Sequence, residues 1–299
     1  MRGAGIAPLL DLRGKRAAVS GATGGLGREL CRALAARGAA LVLLVRNETK
    51  GAELASALAT EFPGTRAEVL VADFSSLASV GRAAACLRQN PPDLLIHNAG
   101  AYCIPRTVSD AGYDNVFTID FLAPYCLTRA LLPALRARGG RVVAVGSIAH
   151  RYAKTDPADV DFSTRTRASL VYGNAKRRLM FSLYGLFAGE TGACLAVTHP
   201  GISFTGITAH YPPWLFALIR YPMKWIFMKP RRAMCPILAG CETATPCGSN
   251  EWIGPRLFAV WGQPWRRTLH SCAPDEAARI TAEAERLWEE CRHFFAEPQ

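Results

Sequence analysis

The sequence predicts an α/β protein: one doubly wound domain on a mostly parallel sheet. Three observations carry that prediction. A glycine-rich turn, Gly21-Ala-Thr-Gly-Gly-Leu-Gly27, lies between a short apolar run and a helical pattern. Further short apolar runs follow at intervals long enough to hold a helix, and each ends on a polar or small residue. Finally, 299 residues at 50% hydrophobic composition, with no compositional break, can bury one large core across the whole chain, 1–299.

Residues 16–20, Arg-Ala-Ala-Val-Ser, read as the first strand, and the helical pattern after the turn runs through Glu29, Leu30, Leu34 and Ala35. A strand, a glycine turn and a helix start together make a phosphate cradle. Glycine tolerates positive φ and close backbone approach, while the free N–H groups and peptide dipoles of a helix start favour a pyrophosphate. The continuous apolar run 40–45 reads as a strand covered on both faces and ends at Arg46. An acidic residue at that position accepts from a ribose 2′-hydroxyl, whereas arginine attracts a 2′-phosphate, so NADP(H) is favoured over NAD(H). Residues 67–72 form a third strand ending at Asp73-Phe74, and 93–97 a fourth ending at Asn98-Ala-Gly100. Ligands in open parallel sheets lie beyond the carboxyl ends of strands, which places Asp73, Asn98, Ala99 and Gly100 along one cleft. His97, with no acidic or metal partner near it in sequence, reads as a packed histidine.

Residues 140–147 read as a fifth strand that delivers Ser147 to the same end. Its hydroxyl can donate to a carbonyl oxygen, but no nucleophile elbow surrounds it. Tyr172 and Lys176 stand four residues apart in a helical stretch and therefore share a face. A cation within about 4 to 6 Å favours phenolate and is expected to pull the tyrosine toward neutrality, where it exchanges a proton efficiently.

These elements together resemble the short-chain dehydrogenase/reductase family, of the compact type and nearest its retinol-dehydrogenase-like branch. The matching motifs are Ser20-Gly-Ala-Thr-Gly-Gly-Leu-Gly27, Asp73, Asn98-Ala-Gly100, Ser147, Tyr172-x-x-x-Lys176 and Pro200-Gly-Ile-Ser-Phe-Thr205. The resemblance implies a Rossmann domain and NAD(P)-dependent hydride transfer between an alcohol and its carbonyl. It implies cofactor contacts from Gly21, Thr23, Gly25, Leu26 and Gly27, from Arg46 and Asn47, from Asp73 and Phe74, and from Asn98 to Gly100. It adds Tyr172, Lys176, Pro200, Gly201, Ile202 and Thr205, with Lys176 holding the nicotinamide ribose. The branch handles lipophilic alcohols. One departure stands out: where the family has a fourth catalytic asparagine, this chain has Asp120. A buried carboxylate there must be paired or protonated. A catalytically impaired NADPH-binding sensor or scaffold is the rival reading.

Residues 206–232 are rich in aromatic and aliphatic side chains and, by the resemblance, fold over the active site after the sixth strand. Trp214, Phe216 and Trp225 are the expected substrate-pocket residues, suited to a steroid, retinoid or long-chain molecule. Core packing and peripheral membrane contact beside Lys224, Lys229, Arg231 and Arg232 stay open for the same segment. Residues 274–295 form a terminal helix, with Pro274 and acids at its start and Ile280, Leu287 and Trp288 available for the domain or a homodimer.

The net charge of +11 is spread as scattered arginines, which argues against a nucleic-acid partner. The ten cysteines have no zinc-like spacing, so no metal is expected and reduced thiols fit a cytoplasmic location. The first dozen residues are too short an apolar patch for a signal segment or membrane span.

Overall fold

The computed structural model describes residues 11–201, 230–243, 250–257 and 260–296. Its sheet has the order β3-β2-β1-β4-β5-β6-β7-β8. The strands are β1 Arg16–Ser20, β2 Ala40–Val45, β3 Ala67–Val71, β4 Leu94–His97, β5 Arg141–Val145, β6 Cys194–Thr198, β7 Glu251–Leu257 and β8 Trp261–Thr268. All neighbours pair in parallel except β7 with β8, which pair antiparallel. That last strand is an addition to the expected parallel sheet. Its exposed pattern, with Trp261 and Trp265 beside Gly262 and Pro264, carries no periodicity that marks a buried strand.

The strands are apolar on both faces because helices cover both. Ala18, Val42, Leu44, Leu95, Val142 and Ala144 point into one core cluster, and their neighbours Val19, Leu41, Leu43, Ile96 and Val143 into another. Helices α1 (Gly25–Ala35) and α2 (Glu48–Glu61) lie on the second side. On the first lie α3 (Leu77–Gln89), a short turn α4 (Asn115–Phe117) and α5 (Ala123–Ala137), with α6 (Ala168–Leu186) beside them. A π-helical turn, Thr118–Leu122, joins α4 to α5. The combined helix Asn115–Ala137 is long and apolar enough to cross a membrane, but 78% of that stretch is buried, so its apolarity serves the core. After β6, α7 (Cys235–Glu242) packs on the α1 side, and α8 (Pro274–Cys291) covers α6.

The terminal helix follows the sequence expectation closely, continuing through a 3-10 turn to Phe295. Ile280 and Leu287 are fully buried against the domain, and Trp288 packs at the edge of the same core. Helix α6 is thereby enclosed between sheet and α8, and its buried residues run around most of its circumference. Two glycines allow close crossings. A Cβ at Gly185 would lie 2.1 Å from Thr281 Oγ1 of α8, and one at Gly81 of α3 would lie 1.9 Å from the Phe294 carbonyl.

Candidate active site

The glycine turn is built as the sequence requires. Gly21 has φ +62, and a Cβ there would lie 2.9 Å from the Ala99 Cα, so only glycine lets β1 and β4 end this close together. Gly27 faces the Gly21 carbonyl even more tightly, at 2.2 Å from an added Cβ. Helix α1 starts at Gly25 with no side-chain cap and no acidic residue in its first turn, which leaves its leading N–H groups available to an anion. Leu26 is buried in the core and fixes the turn from below. Ser20 has a role its motif position did not reveal. Its Oγ accepts the Asn98 and Ala99 N–H groups at 3.0 and 2.9 Å, while Asn98 Nδ2 donates to the Ser20 and Gly21 carbonyls.

The other expected nucleotide-side residues stand at the same carboxyl edge of the sheet. Arg46 is exposed just past β2, and Asn47 caps α2, its Oδ1 accepting the Lys50 N–H at 2.9 Å. Asp73 Oδ1 accepts from Ser75, and the Phe74 side chain is buried in the core. Asn98 Oδ1 is buried without a hydrogen-bond partner among the described residues. Open helix-start donors, a Cβ-free cradle and this orphan acceptor fit a dinucleotide. Pro200 and Gly201 follow β6 at that edge. Ile202, Thr205, Trp214, Phe216, Trp225 and nearly all of the 206–232 lid lie outside the described residues.

Ser147, Tyr172 and Lys176 come together from β5 and α6. Ser147 caps the 3-10 turn Ile148–Arg151, its Oγ accepting the Ala149 N–H at 3.2 Å, and the same hydroxyl lies near enough to the Tyr172 phenol to favour its ionised form. Gly173 makes the approach possible, since a Cβ there would meet the Ala149 carbonyl at 2.6 Å. The turn is braced from behind by His150. Its Nδ1 lies 2.6 Å from the Ser147 carbonyl and so carries the proton, leaving Nε2 to accept from Ser271 Oγ at 2.8 Å. Burial, opposed by the Ser147 carbonyl and aided by Arg151 and Arg177, holds His150 down at about 4.

Lys176 Nζ lies 5.7 Å from the centre of the Tyr172 ring, donates to the Val145 carbonyl at 3.1 Å, and pairs with Asp120 Oδ1 at 3.0 Å. Asp120 is fully buried in the π turn, and its Oδ2 accepts the Ala101 N–H at 3.0 Å. Burial pulls the ammonium down, but the Asp120 carboxylate and the phenol outweigh it, and the lysine stands above its ordinary value. Tyr172 departs from expectation. Burial pushes the phenol up, Lys176 opposes this, Asp120 pushes it up again, and the balance lies above the ordinary value instead of toward neutrality. Burial outweighs the field that the lysine was expected to supply, and the carboxylate offsets part of that field.

His97 is packed and neutral, Nε2 lying 2.7 Å from Thr128 Oγ1, with burial and then the Lys176 charge pulling it to about 3. Four neighbours of the phenol escaped sequence reasoning. Tyr102 meets the Tyr172 ring edge-on at 5.4 Å, and Ile104, Ala153 and Leu170 form an apolar cluster beside it. Tyr102, Ile104 and Ala153 sit on loops whose sequence carries no period, and Leu170 lies in the first turn of α6, so only the fold brings them together.

The short chain dehydrogenase family pattern matches residues 15–156. The chain is 32% identical to dehydrogenase/reductase SDR family member 13 of Bos taurus, over 95% of this chain and 74% of the relative. It is 33% identical to polyprenol dehydrogenase of Mus musculus over 72% of this chain and 68% of that one, and 27% identical to retinol dehydrogenase 12 of Mus musculus over 93% and 85%. A solved short-chain dehydrogenase from Sphingobium yanoikuyae in complex with NADPH shares the fold, with TM-score 0.59 and 23% identity, over 76% of this chain and 84% of that one. The glycine cradle, the Ser147, Tyr172 and Lys176 cluster at the sheet's carboxyl edge and these likenesses agree: the chain belongs to the short-chain dehydrogenase/reductase family, near its retinol-dehydrogenase-like branch.

Proposed function

We propose that this protein is an NADP(H)-dependent oxidoreductase that interconverts a lipophilic alcohol and its carbonyl, with a steroid, retinoid or long-chain compound as substrate. One observation carries the reading: the Tyr172 phenol, the Ser147 hydroxyl and the Lys176 ammonium converge at the sheet edge where the glycine turn opens. The bound nicotinamide would supply or take up hydride. Gly21 to Gly27, Asp73 and Asn98 to Gly100 would hold the dinucleotide, and Lys176 its ribose. Ser147 orients the substrate oxygen by donating to it, and Tyr172 exchanges the proton with that oxygen. The exposed Arg46 supports a 2′-phosphate preference. The lipophilic substrate is supported by the apolar surroundings of the phenol and by the polyprenol and retinol dehydrogenases among the relatives.

A second reading, a cofactor-binding protein with impaired turnover, is favoured by the Asp120–Lys176 pair, which partly neutralises the lysine. NADPH consumption across a panel of steroid, retinoid and alkyl carbonyls decides between them. Turnover that drops at least about 10²-fold in Tyr172→Phe while NADPH still binds is the expected result. Tight NADPH binding with no turnover on any of the panel would support the second reading.

A further inference from the structure

We propose that Asp120 is a positioning residue for proton exchange: as the resident counter-ion of Lys176, it keeps Tyr172 a neutral phenol across the physiological range. The proposal gives regulatory content to the oxidoreductase reading and rests on it only for the consequence in turnover.

The geometry carries it. Asp120 and Lys176 are 3.0 Å apart and essentially without solvent contact, their side chains 0% and 3% exposed. Each has one further anchor, the Ala101 N–H for the carboxylate and the Val145 carbonyl for the ammonium. The Gly100 backbone packs closely on the pair: a Cβ there would lie 2.8 Å from Asp120 Oδ1 and 3.6 Å from Lys176 Nζ. The pair is thus a built feature of the crevice floor, directly below the segment expected to pass under the cofactor ribose.

Among the described residues, the titratable and polar groups near the pair come from several elements. His97 on β4 is neutral, Ser147 at the end of β5 is a hydroxyl donor, and Tyr102 offers the edge of a ring. Asp114 at the start of α4 is the other carboxylate felt at Asp120, and its own charge is met by Arg106 at 2.6 Å. The reacting cluster is therefore one carboxylate, one ammonium and one phenol, with a net charge of zero while the phenol keeps its proton. Losing that proton would leave a net negative charge in a buried site, which is costly. With a neutral side chain at position 120, the cluster instead begins at a net positive charge, and the same loss brings it to zero. The three groups titrate as a unit, so the carboxylate shifts the pH at which the pair becomes basic. In the alcohol-forming direction the neutral phenol is the form that donates to the substrate oxygen, and it is ready at neutral pH. In the opposite direction the phenolate is needed, and its formation is delayed to higher pH.

Tyrosinate absorbance, followed during pH titration of the full chain without cofactor or substrate, tests this directly. The step absent from Tyr172→Phe belongs to Tyr172. In Asp120→Asn that step should move to lower pH by about one unit or more, a tenfold or greater loss of proton affinity, while Asp120→Glu keeps it near the wild-type position. Asp120→Ser reads the same step if the asparagine variant does not fold. A step that stays in place or moves upward in the neutral variants overturns the proposal, since Lys176 would then be giving up its proton in place of Tyr172. With a substrate from the panel, the rising limb of the oxidation kcat/KM profile should move by the same interval. A protein that never turns over leaves the absorbance result standing, so loss of the oxidoreductase reading and loss of this proposal are separate outcomes.

Discussion

Ser20 illustrates how much a single hydroxyl can hold at the site. It is fully buried and takes two backbone N–H groups from the segment that follows β4, at 3.0 and 2.9 Å. Removing it strands both donors, and a buried donor without a partner costs about 1–3 kcal/mol. Ser20→Ala should therefore lower the urea midpoint by an amount equivalent to that range, with Ser20→Thr, which keeps the oxygen, close to the parent. The motif told us that a hydroxyl residue stands here, but the partners were hidden because they lie 78 and 79 positions away. Tyr172 teaches the opposite lesson. Its partner at position 176 was legible from helical spacing, yet the direction of its proton affinity was set first by burial, with Asp120 adding to it, and no local pattern shows either.

Among the elements, α8 and the Ser147 turn are tied through a buried arginine. Arg177 reaches Glu276 with Nε at 2.8 Å and Nη2 at 2.5 Å, and it also donates to the carbonyls of His150 and Ser271. Thr155 adds its N–H and hydroxyl to the same carboxylate. Arg178 pairs with Glu283 two turns further along α8. Truncating one member of a buried pair leaves the other charge unmet, at about 3–5 kcal/mol. Glu276→Ala should show that loss in chemical denaturation, with Glu276→Gln retaining part of it. The terminal helix could be read from its proline, its acids and its apolar positions. That it locks the helix bearing Tyr172, and does not offer Ile280 and Leu287 to a second copy, depends on the crossing at Gly185.

At the scale of the whole molecule, three buried groups make the native state sensitive to acid. His97 and His150 are held neutral to about 3 and about 4, against 6.5 when unfolded. Between those values the unfolded chain binds protons that the folded one refuses, so stability falls as pH drops below 6.5. Each histidine contributes a slope of up to about 1.4 kcal/mol per pH unit over its own interval. Glu276, held at about 2 first by its hydrogen bonds from Arg177, adds a loss of the same sign as pH falls from 4.5. The thermal midpoint should be nearly flat between about pH 6.5 and 8 and decline progressively below that window. A midpoint that rises on acidification would contradict the buried neutral histidines.

The sequence by itself determined the local grammar. Apolar runs marked the first five strands, the glycine turn marked the helix start, and the Tyr172–Lys176 spacing marked one reactive face, because each depends on neighbours within a few residues. The tertiary structure alone decided what the reactive groups meet: Asp120 against Lys176, Tyr102 against Tyr172, His150 behind Ser147, and an antiparallel strand at the sheet's edge. Those contacts join segments tens of residues apart, and the burial and charge that set a proton affinity exist only once the chain has closed around them.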